Sequence, residues 1–88
     1  MMHSNRIFVI DDDSSIRWVL DKALSAAGME IASFESAEDA LQALDAEEPA
    51  VIVTDIRMPG MDGLALLDRI GDRYKDVPVI IMTAHSDL

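Results

Sequence analysis

No cysteine occurs in the 88 residues, which removes thiolate catalysis, disulfides and the usual structural zinc sites and leaves the redox compartment open. Bases are scarce: 7 Lys and Arg stand against 17 Asp and Glu, a net charge of −10. With no basic stripe to neutralise phosphates, direct nucleic-acid binding by this segment is not expected, whereas a metal cation or a basic partner surface suits the balance. No apolar run approaches the roughly 18 residues that span a bilayer, and the start, M-M-H-S-N-R, has no apolar signal core, so a cytoplasmic protein without membrane contact is expected. The length allows one domain, residues 1–88, near the small end for a self-sufficient core. Half of the residues are apolar, which sets the chain apart from a disordered acidic tail.

Those apolar residues alternate between two patterns, without repeats or low-complexity tracts. Ile7 to Ile10 is a short β-branched and aromatic run, the pattern of a strand buried on both faces. Ile16, Val19, Leu20, Ala23, Leu24 and Ala27 then repeat at three and four, which predicts a helix capped by Ser14 or Ser15 and stopped at Gly28. Met29 to Phe34 reads as a second strand. S-A-E-D from Ser36 to Asp39 resembles a capping box opening a helix that turns Ala40, Leu41 and Leu44 inward. Beyond Pro49, Ala50 to Thr54 is a third buried strand that delivers Asp55 at its carboxyl end. A Gly/Pro loop leads to a helix marked by Leu64, Leu67 and Ile70, and Pro78 opens a fourth strand, V-I-I-M-T, ending at Thr83.

Strands alternating with helices define an α/β domain with a parallel sheet and right-handed crossovers. Ligands of such sheets gather outside the carboxyl ends of the strands. Three of the four strands end in polar groups there: Asp11, Asp12 and Asp13, then Asp55, then Thr83. A lone aspartate at a strand end is ordinarily a helix cap or a turn former. Several converging carboxylates are another matter, because they resist ionising together unless a cation compensates. Mg²⁺ takes oxygen ligands and pairs naturally with phosphate chemistry, and an aspartate can be a nucleophile toward phosphorus. Metal and nucleophile together point to phosphoryl transfer, and the Thr83 hydroxyl is suited to donate to a phosphate oxygen.

Three motifs in order, V-I-D-D-D-S-S-I-R, V-I-V-T-D-I-R-M-P-G-M-D-G and V-P-V-I-I-M-T-A-H-S-D, resemble the receiver domain of two-component response regulators, in particular the NtrC type. The resemblance implies a flavodoxin-like doubly wound parallel sheet, here in the order 2-1-3-4. It implies that Asp55 is the phospho-acceptor, that Asp12 is a direct Mg²⁺ ligand with Asp11 as its more indirect acidic neighbour, and that the backbone carbonyl of Arg57 is a further ligand. Met58, Pro59 and Gly60 would shape the loop after the acceptor, Thr83 would be the switch hydroxyl and Ala84 would leave room beside the phosphate. Asp13 falls where the family is variable. A sensor histidine kinase as phosphodonor, and ATPase and DNA-binding modules in a longer parent chain, are the implied partners. A complete receiver also has a fifth strand ending in a lysine. Neither Lys22 nor Lys75 stands in such a place, so the sequence reads as a receiver that stops before that strand. On that reading Val79 to Met82 becomes an apolar sheet edge, and a homodimer or higher assembly is expected.

Two other readings compete. A haloacid-dehalogenase-type phosphatase fits Asp11 to Asp13 and Thr83 loosely but leaves Asp55 unexplained, and an interaction module that has lost its switch would retain the sheet alone. An EF-hand starting at Asp11 fails, since it needs Gly at Ile16 and Glu at Lys22. Trp18 lies opposite the Ile16 and Leu20 stripe and is expected to be exposed. Met58, Met61 and Met82 read as loop and core filler, His3 as part of a frayed terminus and His85 as a solvated loop residue beside Thr83.

Overall fold

The computed structural model describes residues 6–56, 58, 60–71 and 76–82. Within them the chain forms β1 (Arg6–Ile10), α1 (Ser14–Ala26), β2 (Glu30–Phe34), α2 (Ala37–Leu44), β3 (Val51–Asp55), α3 (Gly63–Gly71) and β4 (Val79–Met82). The four strands make one parallel sheet in the order β2-β1-β3-β4, the flavodoxin-like arrangement expected. β1 lies in the middle, with Ile10 level with Phe34 on one side and Thr54 on the other. The carboxyl ends of β1 and β3 therefore come out side by side.

Side chains alternate across the sheet, so each face has its own layer. One face sends Phe8, Ile10 and Ile52 against Ala37, Ala40 and Leu44 of α2 and Leu66 and Ile70 of α3. Phe8 and Phe34 meet edge to face there, with ring centroids 4.9 Å apart. Each large side chain so buried stabilises the fold by about 1.5–3 kcal/mol relative to exposure, and this face holds most of them. The other face turns Val9 toward α1, which packs on β2 and β1.

Several local details differ from the sequence reading. Helix α1 is capped by Asp13, not by Ser14 or Ser15: the Asp13 carboxylate accepts the Ser15 N–H at 2.8 Å from an extended backbone. The apolar stripe of α1 contains no fully buried residue, and Ile16 and Val19 are exposed, because α1 covers only the β1–β2 side of its face. Trp18 is 62% exposed, as expected, with the Lys22 ammonium 5.6 Å from its ring centre. In α3 the inward positions are Gly63, Leu66 and Ile70, while Leu64 and Leu67 face outward, since the helix starts with Gly63 pressed against the end of β3.

Other signals are realised as read. Gly28 ends α1 with φ +87, and its N–H donates to the Ser25 carbonyl at 2.9 Å. Ser36 caps α2, its hydroxyl accepting the Asp39 N–H at 3.1 Å. Met58 is buried in the core, with Met61 packed against it.

Candidate functional site

The site begins where β1 runs out of partners. The Asp11 N–H still donates to the Phe34 carbonyl at 3.1 Å, as a last rung of the ladder to β2, and the chain then leaves the sheet. Asp11 is 3% exposed, and its Oδ1 accepts the Asp13 N–H at 2.9 Å. Asp12 is exposed beside it. Asp55, 6% exposed, is the last residue of β3. Carboxylate oxygens of Asp11, Asp12 and Asp55 all lie within 4.8 Å of one another.

Burial pushes the Asp11 carboxyl above its ordinary value, and repulsion from Asp55, Asp12 and Asp13 adds to this against the opposing Asp13 N–H. Such a concentration of hard oxygen donors, partly withdrawn from water, fits a divalent cation that prefers oxygen ligands. The trio is open to solvent on the Asp12 side and walled by the sheet on the other.

The supporting shell contains residues that the sequence reading passed over. The Arg17 guanidinium donates to the Asp11 backbone carbonyl at 2.6 Å. Behind Asp55, the Thr54 hydroxyl is fully buried and donates to the Asp55 carbonyl at 3.1 Å. The chain then curls so that the Gly63 N–H donates to the Ile56 carbonyl at 3.1 Å. A Cβ on Gly63 would collide with the Asp55 carbonyl oxygen and stand 3.0 Å from the Ile56 Cα, so the turn closes on the end of β3 only with glycine here. Glu38 of α2 reaches across, its Oε2 accepting the Met61 N–H at 3.4 Å. Asp62 caps α3 by accepting the Ala65 N–H at 2.8 Å. The Asp62-Gly63 pair was a visible turn signal, but neither Arg17 nor Glu38 carries a mark in sequence that points to its target.

Of the expected site residues, Asp11, Asp12 and Asp55 converge, and Asp13 proves to be a helix cap. Arg57, Thr83, Pro59, Ala84, His3, His85 and Lys75 lie outside the described residues. Lys22 is exposed on α1, beside Trp18.

A doubly wound parallel sheet that gathers acidic residues at the carboxyl ends of β1 and β3 defines an α/β domain with a candidate cation site at its ligand-binding edge. The model of the response regulator receiver domain matches residues 7–88, and the chain belongs to that family, as a receiver of the NtrC type. This is a family of regulatory domains rather than of enzymes, and the haloacid-dehalogenase reading falls with the match. The chain is 56% identical over 87 residues to the DNA-binding transcriptional regulator NtrC of Escherichia coli strain K12, covering 99% of itself and 19% of that protein. It thus spans under a fifth of the length of such relatives. The solution structure of the apo receiver domain of nitrogen regulatory protein C superposes with a TM-score of 0.84 at 56% identity, over 99% of this chain and 70% of that one. The response regulator TrrA of Thermotoga maritima, in complex with Mg²⁺-BeF, gives a TM-score of 0.87 at 36% identity, over 97% and 72%.

Proposed function

We propose that Asp55 accepts a phosphoryl group from a sensor histidine kinase, and that the modification switches the output of a longer transcriptional regulator bearing ATPase and DNA-binding modules. The observation that carries this reading is the meeting of three carboxylates from two adjacent strand ends. Mg²⁺ would be held by Asp11, Asp12, Asp55 and the backbone carbonyl of Arg57, and when bound it supplies positive charge against carboxylate and phosphoryl oxygens. An Asp55 oxygen attacks phosphorus, the P–N bond of the donor phosphohistidine breaks with its electron pair going to the imidazole, and an acyl phosphate remains on Asp55. Burial of the Asp55 side chain limits water around the reacting oxygen, and the exposed Asp12 side leaves a way in for the donor. Asp11 holds its own carboxylate against the Asp13 N–H and so keeps one face of the pocket fixed. The Thr83 hydroxyl acts as the switch, donating to the phosphoryl group. In this reading the domain catalyses only its own modification, in the cytoplasm; no helix among the described residues is long and apolar enough to cross a membrane.

Self-association of the 88-residue polypeptide is a further part of the proposal. Among the described residues β4 pairs on one side only, and Ile80 is 54% exposed on it. Sedimentation at several concentrations tests this, and a monomer throughout would remove it.

Phosphorylation is tested with a small acyl-phosphate donor and Mg²⁺, followed by mass spectrometry. Gain of one phosphoryl group that Asp55→Asn abolishes is the expected result. Labelling that persists in Asp55→Asn would move the acceptor elsewhere.

A further inference from the structure

We propose that Arg17 is a positioning residue for the cation site, acting by fixing the peptide that joins Asp11 to Asp12. This rests on the reading of that site as a Mg²⁺ site. The need for such a residue follows from the topology. Up to Ile10, each backbone group of β1 can pair with β2 or β3. At Asp11 the N–H still finds the Phe34 carbonyl, but the paired register of β1 ends at Ile10, and among the described residues no strand continues to meet the Asp11 carbonyl. A carbonyl in that place would ordinarily be left to water, and the peptide plane following it would be free to rock. Instead the Arg17 guanidinium donates to it at 2.6 Å from six residues further on.

Arg17 is well placed to hold firmly. It is half-buried, and it sits in the first turn of α1, where its own N–H donates to the Asp13 carbonyl at 3.1 Å. The same segment is tied at two more points, the Asp13 N–H to the Asp11 carboxylate and the Ser15 N–H to the Asp13 carboxylate. Asp11 and Asp13 therefore both have their carboxylates engaged by local backbone N–H groups, and both Asp12 and Asp13 are exposed, with Asp12 beside the buried Asp11 and Asp55. With the Asp11 N–H and carbonyl both pinned, the direction in which the Asp12 Cα leaves the sheet is set before any cation arrives. A charged planar donor suits this better than an ammonium, because it combines a charge-assisted bond with a fixed direction.

A general stapling of α1 to the sheet would make Arg17 matter for stability alone, whereas positioning makes it matter for Asp12. The experiment compares the protein with Arg17→Met, Arg17→Lys and Asp12→Asn, reading Mg²⁺ affinity and the metal-free amide resonances of Asp12 and Asp13 by NMR, with thermal unfolding alongside. The expected result is saturable Mg²⁺ binding that Asp12→Asn removes and Arg17→Met weakens about tenfold, as loss of a partner supporting a metal ligand typically does. The Asp12 amide should shift in metal-free Arg17→Met, and Arg17→Lys should recover part of both effects. Wild-type Mg²⁺ affinity and an unmoved Asp12 amide in Arg17→Met would overturn the proposal. So would a change in unfolding temperature alone. If Arg17→Met does not fold, Arg17→Lys decides by the same two readouts, because it keeps the charge but loses the fork. If the unaltered protein shows no saturable Mg²⁺ response, the metal reading fails, and an Asp12 amide unmoved by Arg17→Lys would then show that the clamp fails as well.

Discussion

The Asp13 carboxylate accepts the Ser15 N–H at 2.8 Å and so closes the open end of α1, although Asp13 stands directly beside Asp12 and differs from it in no atom. Opposite effects of the same substitution follow. Asp13→Ala should cost about 0.5–2 kcal/mol of stability, the usual loss for a missing cap, while leaving a Mg²⁺ response. Asp12→Ala should abolish the Mg²⁺ response with little change in stability. Denaturant unfolding and Mg²⁺ titration of both variants check this, and a Mg²⁺ response that depended equally on the two would contradict it.

Gly63 and Gly71 lie at the two ends of α3 and should respond in opposite senses to alanine. A methyl group at Gly63 would strike the Asp55 carbonyl and Ile56, so Gly63→Ala should destabilise by about 1–3 kcal/mol, the usual range for overpacking. It should also shift the amide resonances around Asp55. At Gly71, among the described residues and apart from its own helix and chain neighbours, nothing lies within 4 Å of the added atom, and Gly71→Ala should be neutral or stabilising by roughly 0.5–1 kcal/mol. Urea unfolding of the pair is the measurement.

Asp11 has its pKa raised by burial and by its acidic neighbours, so in metal-free buffer its charge opposes folding at neutral pH. Between the unfolded value near 3.8 and the raised folded value, the folded state binds the extra proton. This penalty is absent below that window, grows as pH rises through it and is complete above. Asp11→Asn retains an oxygen for the Asp13 N–H and should therefore raise the unfolding temperature at pH 7, by an amount that shrinks on acidification. A gain independent of pH would place the cause elsewhere.

Glu38 links α2 to the loop after β3 through the Met61 N–H, at a distance that gives a weak bond on the surface. Glu38→Ala should change global stability by less than about 0.5 kcal/mol, as surface substitutions commonly do. Its effect should be confined to faster hydrogen exchange at Met61. Protection at Met61 unchanged by the substitution would show that this contact does not hold the loop.

Much of this arrangement could be read from residue order. Runs such as Ile7–Ile10 and Val51–Val53 are short, apolar and β-branched, which leaves few alternatives to buried parallel strands, and Asp11, Asp12 and Asp55 stand where such strands end. What could not be read depends on three-dimensional detail. Three consecutive aspartates are equivalent as letters, and only the extended backbone at Asp13 turns one of them into a cap. The reach of Arg17 to a carbonyl six positions back needs the angle between β1 and α1, which periodicity does not contain. The stripe on α1 was legible as helical, but how much of it is covered depends on where the helix lies across the sheet. In α3 the inward face turned on a glycine whose importance lies in the backbone pressed against it.

The uneven cover of the sheet has a consequence for how the domain opens. Helix α1 carries both the Asp13 cap and the Arg17 clamp, yet buries no residue completely, while β1 is buried along nearly its whole length. Amides of α1 should therefore exchange with solvent through partial openings that leave β1 and β3 intact. Each such opening would also release the Asp11 carbonyl and loosen Asp12. A ligand that needs Asp12 in place would then draw its affinity partly from the closed population, and in binding it would slow exchange along a helix it does not touch.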